Sequence, residues 1–463
     1  MEATHKTIGP LPSVDQLIQQ TRHLPIPRRL RKRLIQEQLQ QWRDQQTLPA
    51  KGDISSLVEQ GLCRFDQMRL RCVVNATGIV LHTNLGRAPL PLDLNSAIFQ
   101  SLGYNNLELD LSTGKRGKRG LWVEKALATI CQSPSSTVVN NCAAALMLIL
   151  MAARRDAQSE VILSRGELVQ IGGGFRIPEI LESAGIRLRE VGTTNHTTLE
   201  DYRRAIGDHT VMILKVHQSN FAMTGFVASP PLKALADLAR EHDCPLVFDL
   251  GSGALVDTKE HFDIDREITP AEAIHQGVDL VCFSGDKLMG GPQAGIIAGN
   301  TTHINHLKQH PMFRALRIDK VTLGVLEQVA EHHLVSQDDP EHLETPSLPA
   351  YGGLSITMEV LEARTQCILE SIGGNLNGVE QVDLSGGVGG GTMPTTALPS
   401  LGLGITSPDQ PADRIADFFR NQPTPIIGHV SQKTFYLNLR TVLPEQDSLL
   451  IAALKAWKSH SGH

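Results

Sequence analysis

The chain has 463 residues, of which 41% are hydrophobic and 20% charged, and its formal net charge is −6. This balance is typical of a soluble globular protein of two or three domains, and it excludes a disordered chain or a polycation. The seven cysteines are scattered, odd in number and without C-x-x-C spacing. They predict reduced thiols rather than a disulfide framework or a zinc site, and no metal is expected.

Two patterns bear on the cellular compartment. The N-terminus lacks the basic-then-apolar pattern of a secretion signal. The longest apolar run, Ala143–Ala153, is about half of the ~20 residues that a membrane helix needs, so it predicts a buried helix. We therefore expect a cytoplasmic protein that does not contact a membrane.

Residues 1–70 differ in composition from the rest of the chain. The stretch RHLPIPRRLRKRLIQEQLQQWRDQQ is basic and built mostly of helix formers. Residues 1–50 hold eight Lys/Arg against four Asp/Glu, which makes this part of the chain positive and the remainder strongly negative. The asymmetry predicts a helical module with a polyanionic partner, although an ordinary solvated helix face would look the same.

Residues 71–338 follow the pattern of an α/β domain. Short β-branched runs alternate with longer helical stretches such as PPLKALADLAREHD, residues 230–243, which predicts a mainly parallel sheet covered on both faces. The predicted strands are STVVN (136–140), EVILS (160–164), VMILKV (211–216), PLVFDL (245–250) and DLVCF (279–283). Ligands of such sheets bind at the carboxyl ends of the strands.

Residues 339–463 indicate a smaller α+β domain. The Pro/Gly-rich stretch 385–404 predicts a loop, and FYLNLRTV, residues 435–442, predicts a strand.

Three predicted strand ends carry groups that suit one ligand. After the first strand, Asn140 or Asn141 can cap a helix whose small residues, Ala143 among them, let an anion approach free backbone N–H groups. Asp249 ends an apolar strand, where a carboxylate needs a cation or donor. A capped helix without a ligand and a structural salt bridge are the ordinary alternatives.

The stretch FSGDKLMGGPQAG places Lys287 directly after another apolar strand. Burial lowers the pKa of a lysine and supplies a neutral amine for Schiff-base formation. Ser284 precedes the lysine by three residues and can reach the anion that would bind at the helix start described above. The order differs from a nucleotide P-loop, because Leu288 rather than a hydroxyl residue follows the lysine.

Pyridoxal phosphate needs all three features: an amine for its aldehyde, a carboxylate for its pyridine nitrogen and a helix end for its phosphate. Their order along the chain is that of the aspartate-aminotransferase-like (fold type I) superfamily. His217, in KVHQSN, sits where these enzymes often stack a ring on the cofactor, although taken singly it is more often a structural histidine.

Several longer motifs resemble those of the bacterial selenocysteine synthases, the L-seryl-tRNA(Sec) selenium transferases. They are VVNATGIVLHTNLGRAPL, VVNNCAAALML, SRGELVQIGGGFRIPEIL, EVGTTNHT, KVHQSNFAMTGF, DLGSGALVD and FSGDKLMGGPQAGII, and the resemblance covers nearly the whole chain. The chain departs from the family at Cys142 and Gln170, where members often have Asn and Glu. The change at Cys142 removes a side-chain donor from the phosphate seat but leaves the backbone N–H groups.

The resemblance implies that Lys287 carries the cofactor and that Asp249 faces its pyridine nitrogen. It implies an arginine cluster, Arg87, Arg314 and Arg317, for the selenium donor, selenophosphate, because arginine binds tetrahedral oxyanions through planar paired donors. It also implies a homo-oligomer, a ring of dimers and by resemblance a decamer, with active sites between subunits.

The activity that the resemblance implies is conversion of seryl-tRNA(Sec) to selenocysteinyl-tRNA(Sec). Lys287 would remove the α-proton of the esterified serine, water would leave to give a dehydroalanyl-tRNA, and selenium would add. Asp286 would relay protons or orient donors. The tRNA would bind the basic N-terminal segment through phosphate contacts, with these candidates: Arg28, Arg29, Arg31, Lys32 and Arg33.

Two alternatives remain open. One is a pyridoxal-phosphate-dependent lyase of the same superfamily acting on a small amino acid, which would generally lack the basic N-terminal module. The other is a nucleic-acid-binding protein without catalysis, which would have no need of Lys287 and Asp249 together. The second basic loop, residues 114–120, fits either a contact with the aminoacyl end or a loop at a subunit interface.

Overall fold

The computed structural model of the chain describes residues 12–45, 49, 53–91, 95–171, 174–338, 348–374 and 378–461. They separate into two compact units, Met1–Cys72 and Val73–His463. Within the described ranges, no helix is long and apolar enough to cross a membrane.

The first unit is a small bundle of helices: α1 (Val14–Gln20), α2 (Arg28–Asp44) and α3 (Ile54–Gln67). Helix α1 begins with a capping box, in which the Ser13 hydroxyl accepts from the Gln16 backbone N–H and the Gln16 side chain accepts from the Ser13 N–H. Apolar side chains at helical spacing close around a core of their own that includes Leu17, Ile35 and Val58.

The second unit contains two principal sheets. Its described strands are β1 (Val74–Asn75), β2 (Ile79–Leu81), β3 (Ser135–Val139), β4 (Glu160–Ser164), β5 (Gln170–Ile171), β6 (Phe175–Arg176), β7 (Arg187–Val191), β8 (Thr210–Val216), β9 (Leu246–Gly251), β10 (Leu280–Ser284), β11 (Gly295–Gly299), β12 (Val379–Gly389), β13 (Thr392–Ile405), β14 (Ile426–Ile427), β15 (His429–Ser431) and β16 (Thr434–Asn438).

Helices connect and cover these strands. They are α4 (Asn95–Leu102), α5 (Leu121–Ile130), α6 (Cys142–Ala153), α7 (Ile177–Ser183), α8 (Leu199–Ala205), α9 (Leu232–Glu241), α10 (Thr258–Phe262), α11 (Pro270–His275), α12 (Thr301–Gln309), α13 (Pro311–Ala315), α14 (Lys320–Asp338), α15 (Pro349–Ser355), α16 (Met358–Ser371), α17 (Ala412–Arg420) and α18 (Asp447–Ser461).

The large sheet has seven strands in the order β3-β11-β10-β9-β8-β4-β7. The pairs among β10, β9, β8, β4 and β7 are parallel, whereas β11 is antiparallel to both of its neighbours. Alternate residues of β4 enter different cores, Val161 and Leu163 one of them and Ile162 the other, so both faces of the sheet are covered. The predicted, mainly parallel α/β arrangement is confirmed, as is the buried helix α6.

The smaller sheet has five strands in the order β15-β16-β13-β12-β2. The prediction of a loop at residues 385–404 was wrong, because this stretch belongs to the β12–β13 hairpin. Its glycines serve close packing: a Cβ on Gly402 would lie 2.1 Å from the Leu437 carbonyl oxygen of the neighbouring strand. Glycine was therefore selected here by crowding between strands and not by the needs of a turn.

The predicted strand at residues 435–442 is only half a strand. β16 ends at Asn438, and residues Leu439–Thr441 form a 3-10 turn. The buried Asn438 side chain stops the strand, because its Oδ1 accepts from the Arg440 backbone N–H at 3.1 Å and from the Ser400 hydroxyl at 2.6 Å.

His333 gives the fold a pH dependence. It is buried in α14, and its Nε2–H donates to the Met289 carbonyl oxygen at 2.8 Å. Burial lowers the pKa of His333 from 6.5 to about 4. Between these values the unfolded chain binds a proton that the folded chain does not. This contribution to stability is therefore complete above the unfolded pKa and is lost as the pH falls toward the folded one.

We expect the free energy of unfolding to fall with acidification in that window, at a slope approaching about 1.4 kcal/mol per pH unit from this group. A His333→Gln variant keeps a donor for Met289 but cannot titrate, so its curve should be flatter. Denaturant unfolding of both proteins at several pH values measures the difference. Parallel curves would exclude His333 as the source.

Candidate active site

Four predicted site residues lie where parallel strands of the large sheet end. Asp249 lies near the end of β9, and His217 directly follows β8. Ser284 ends β10, and Lys287 lies in the turn after that strand. Parallel neighbours present their carboxyl ends at one edge of the sheet, which explains why residues distant in sequence meet here. The His217 backbone N–H donates to the Asp249 carbonyl oxygen at 2.9 Å.

Lys287 is 5% exposed. Its turn is fixed by backbone bonds: the Gly291 N–H donates to the Gly285 carbonyl at 2.8 Å and the Leu288 N–H to the Ser252 carbonyl at 3.0 Å. Within the described part of the chain, the Lys287 amine makes no hydrogen bond and no ion pair at 4.0 Å or less. The buried amine is thus available to a ligand.

Asp249 is buried and receives only weak donors. The Sγ atoms of Cys142 and Cys282 each lie 3.7 Å from the same carboxylate oxygen, Oδ1. Burial raises the pKa of the Asp249 carboxyl, while the Lys287 ammonium and the two thiols oppose the rise. A carboxylate at this depth is stabilised when a cation approaches its other oxygen.

The two thiols and the carboxylate also form a potential metal site, since their ligand atoms lie within 4.8 Å of one another. We assign the thiols to hydrogen bonding with Asp249. The proximity raises the pKa of the Cys282 thiol well above its usual value, first through the hydrogen bond with Cys142 and then through burial. The expectation that no metal binds stays a prediction.

The first turn of α6 forms a candidate anion-binding site beside these groups. Asn141 caps the helix, its Oδ1 accepting from the Ala144 N–H at 2.8 Å. The N–H groups of Cys142 and Ala143 have no acceptor in the described ranges. Two free N–H groups at the start of a twelve-residue helix provide a site for a phosphate.

Asp286 joins Lys287 to the segment around Arg87. Its carboxylate accepts from the Ser284 hydroxyl at 2.6 Å and from Arg87 Nη1 at 2.8 Å, and its carbonyl accepts from the Ala88 N–H at 3.3 Å. Ser284 thus faces Asp286 in this state. Arg87 has a φ of 63°, a backbone conformation that costs a residue with a side chain about 1 kcal/mol or more. This strain orients the Arg87 guanidinium toward the site.

His217 is held by a residue that the sequence did not single out. Its Nε2 lies 2.8 Å from Oε1 of Glu267, which is 6% exposed, and its ring packs edge-on against Phe248. A second buried pair lies next to it, in which the Lys215 amine donates to Glu167 and the Val216 N–H donates to the other Glu167 oxygen at 2.9 Å. Burial raises the pKa of Glu167, against the effect of Lys215.

The three predicted arginines do not share a contact partner within one chain. Arg87 forms an ion pair with Asp286. Arg317 instead lies 3.4 Å from Glu108, a carboxylate that Arg116 and Arg119 also contact. Arg314 is exposed in α13 and has no hydrogen bond or ion pair in the described part of the chain.

In the first unit, the predicted basic contacts divide into two groups. Arg28, Arg29, Lys32 and Arg33 are exposed on α2. Arg31 is different: it is 6% exposed, and its guanidinium donates to the Thr21 carbonyl inside the unit. The expected tRNA contact at Arg31 is therefore corrected to a structural role, because helix periodicity turns this position toward the core.

The residues present fit pyridoxal phosphate. A Cβ built on Gly251, whose φ is +67°, would contact both Lys287 Nζ, at 3.9 Å, and Asp249 Oδ1, at 4.0 Å, so the amine and the carboxylate converge on the backbone of this glycine. The amine, the buried carboxylate and the two free N–H groups of α6 correspond to the aldehyde, the ring nitrogen and the phosphate.

Comparison with known proteins gives a consistent assignment. The family model "SelA: L-seryl-tRNA selenium transferase" matches residues 73–443. The L-seryl-tRNA(Sec) selenium transferase of Geotalea daltonii is 40% identical over 87% of this chain and 86% of its own length. That of Alkaliphilus oremlandii is 36% identical over 97% of this chain and 98% of its own length.

Among solved structures, D-glucosaminate-6-phosphate ammonia-lyase aligns with a TM-score of 0.57 and 20% identity, covering 86% of this chain and 99% of its own. At this identity the likeness shows the fold type I architecture alone, and it does not favour the lyase alternative. With the family model spanning most of the second unit and the relatives spanning most of the chain, the protein belongs to the L-seryl-tRNA selenium transferases, which convert seryl-tRNA(Sec) to selenocysteinyl-tRNA(Sec) with pyridoxal phosphate as cofactor.

Proposed function

We propose that this site replaces the β-hydroxyl of tRNA-bound serine with selenium from selenophosphate, and that Lys287 and Asp249 carry the chemistry. The observation that supports this most directly is the convergence of a buried amine and a buried carboxylate at Gly251, at the carboxyl ends of the parallel strands. Bound pyridoxal phosphate would supply an electron sink for the pair left when an α-proton is removed.

Lys287 is the base in this proposal. Among the described residues its amine has no ion-pair partner within 4.0 Å, so it could hold the α-proton of the seryl group and return it once selenium has added. Asp249 would keep a proton on the ring nitrogen of the bound cofactor, and the Cys142 and Cys282 thiols, each 3.7 Å from its Oδ1, would hold the carboxylate in place. The free N–H groups of Cys142 and Ala143 would hold the phosphate, beneath the cap at Asn141.

Two further groups complete the reaction. Asp286, held by Ser284 and Arg87, is placed to orient the leaving hydroxyl and the incoming donor. Arg87 would supply planar donors to the phosphate part of selenophosphate; once selenium has bonded to the β-carbon, water cleaves the Se–P bond, so that phosphate leaves and the selenol remains.

We propose that Arg314 and Arg317 act with Arg87 across a subunit interface in a homo-oligomeric ring of dimers. Arg314 is exposed without a partner in the described ranges, and the segment 102–122 exposes large apolar side chains that a second copy would cover, among them Leu102, Tyr104, Leu111 and Trp122. The loop 114–120 belongs to this segment, which supports its role at an interface. Analytical ultracentrifugation measures the assembly.

The test of the activity is direct. Purified protein receives seryl-tRNA(Sec) and selenophosphate, and the product is deacylated and analysed for selenocysteine. A panel of free amino acids and phosphorylated amino sugar acids runs in parallel. Selenocysteine formed only from the tRNA substrate supports the proposal, whereas ammonia released from a small molecule, without selenocysteine, overturns it in favour of the lyase.

Replacing Asp249 with Asn should lower the rate of selenocysteine formation about a hundredfold or more, the loss typical of removing one preorganised electrostatic group. The ring nitrogen would then lack a carboxylate to keep it protonated. The absorption spectrum of the bound cofactor, titrated with pH, should change at the same time. Asp263→Asn, at a side chain 91% exposed, is the matched control and should leave both measurements unchanged.

A further inference from the structure

A cavity of about 640 Å³ lies in the second unit beside the catalytic turn. Three segments line it, residues 73–89, 349–364 and 440–446. Its walls are largely apolar and include Val80, Leu85, Val360 and Leu443. The volume is within the ~300–1,000 Å³ of small-molecule sites.

This cavity adjoins the site through Arg87, which lines it and also pairs with Asp286 at 2.8 Å. Asp286 is the neighbour of Lys287 in the chain, and the Ala88 N–H donates to its carbonyl. A ligand in the cavity would therefore border Arg87, whose partner Asp286 precedes the proposed base Lys287 in the chain.

Two arginines of the cavity wall, Arg440 and Arg364, are committed to other groups of the protein, whereas the carboxylate of Glu445 on the same wall has no partner among the described residues. Each of the five donors of Arg440 is committed to backbone carbonyls, those of Pro399, Gly353, Leu354 and Ile356. Burial lowers the pKa of Arg440 to about 10, as expected for a guanidinium without a carboxylate partner. A free amino acid would need a cation here for its α-carboxylate, and Arg440 has none of its donors left to offer.

The second arginine on the wall, Arg364, is committed as well. It donates to both oxygens of Asp447, at 3.1 and 2.6 Å, and to the carbonyls of Leu439 and Val442. With Arg440 and Arg364 committed and the Glu445 carboxylate on the wall, this part of the cavity disfavours a ligand carboxylate and suits a ligand with a large apolar surface.

The wall also carries a side-chain amide without a partner among the described residues. The Gln446 side-chain amide has no hydrogen-bond partner in the described part of the chain. A glutamine amide offers a donor and an acceptor side by side, which matches the N6 and N7 positions of adenine. A largely apolar cavity with one such amide suits a purine base.

We infer that this cavity binds the 3′-terminal adenosine of the aminoacylated tRNA, with the adenine between its apolar walls and its edge on Gln446. The inference rests on the proposed function: serine is esterified to the ribose of that adenosine, so the nucleoside must lie within a few bonds of the atoms that react at Lys287. An ester, unlike a free amino acid, brings no carboxylate, which agrees with a wall on which Arg440 and Arg364 have no donors left for one.

The test uses the full-length holoenzyme and a stable probe, 3′-seryl-amido-3′-deoxyadenosine, with binding measured by calorimetry. Val360→Trp fills the cavity from a position 47% exposed, and it should weaken probe binding about tenfold or more. Val335→Trp, 44% exposed on α14 and away from the cavity, is the matched control and should bind as the parent does.

Base recognition is tested separately with the uridine analogue of the probe. The parent protein should bind the adenosine probe more tightly than the uridine probe, and Gln446→Leu should reduce the ratio of the two affinities. Unchanged binding in Val360→Trp overturns the inference. A changed sedimentation coefficient in Val360→Trp but not in Val335→Trp would also overturn the inference, because it would mean that a second copy of the chain, and not adenosine, occupies the cavity. If seryl-tRNA(Sec) is converted normally by Val360→Trp, the inference fails while the proposed function stands; if the parent converts none, the proposed function fails first.

Discussion

Replacing Lys287 with alanine is expected to abolish selenocysteine formation and to leave the cofactor without a covalent attachment. The structure offers one buried amine next to Asp249 and Gly251. A base of this kind contributes about 10²–10⁴-fold to a proton transfer, and covalent binding of the cofactor is lost as well, so we expect a loss of at least about 10³-fold. The measurement is conversion of seryl-tRNA(Sec) under single-turnover conditions.

Two controls separate chemistry from folding. Lys287→Arg keeps the charge but not the nucleophile, and it should be as inactive as the alanine variant. Added methylamine should restore part of the activity of Lys287→Ala, which a misfolded protein would not allow. Borohydride reduction of the parent, followed by peptide mapping, should place the cofactor on position 287. An adduct on another lysine would contradict the assignment.

Neutralising the exposed basic row of α2 is the change with the largest expected effect on tRNA. The spacing of Arg28, Arg29, Lys32 and Arg33 makes them neighbours on the surface of α2, and all four are exposed. Changing all four to glutamine should weaken tRNA binding about ten- to a hundredfold at physiological salt. It should also reduce the dependence of affinity on salt, because fewer counterions are released. Filter binding at several salt concentrations measures both.

The control for this prediction changes four other exposed basic residues, Arg203, Arg204, Lys233 and Arg240, each already paired with a carboxylate. That variant should bind tRNA as the parent does. Both variants should retain the cofactor spectrum. Equal salt dependence in the two variants would exclude the α2 row as the tRNA surface.

The elements that position the site could be predicted because their sequence patterns are local. Five β-branched runs became β3, β4, β8, β9 and β10, since strands buried on both faces need continuous apolar residues. Lys287 and Asp249 could be identified because a charged residue at the end of such a run is costly without a partner.

Contacts set by strand register could not be predicted. Cys282 reaches Asp249 because the two residues are paired across β10 and β9, and a shift of one residue would turn the thiol to the other face. Glu267 and Glu167 are equally hidden, since their partners His217 and Lys215 are brought to them only by the tertiary fold. The β12–β13 hairpin was missed because its glycines resemble a loop until the neighbouring strand is present.

The antiparallel strand β11 limits the movement of the Lys287 amine, because it holds the loop that carries this lysine. Strands β10 and β11 are adjacent, with Ser284 opposite Gly295, so the connection between them is a hairpin loop clamped at both ends. A loop closed by the Gly285–Ala294 and Gly291–Gly285 bonds has no crossover helix that could swing as a lid. With the backbone of the loop held in this way, we expect the Lys287 amine to move by rotation about the bonds of its own side chain.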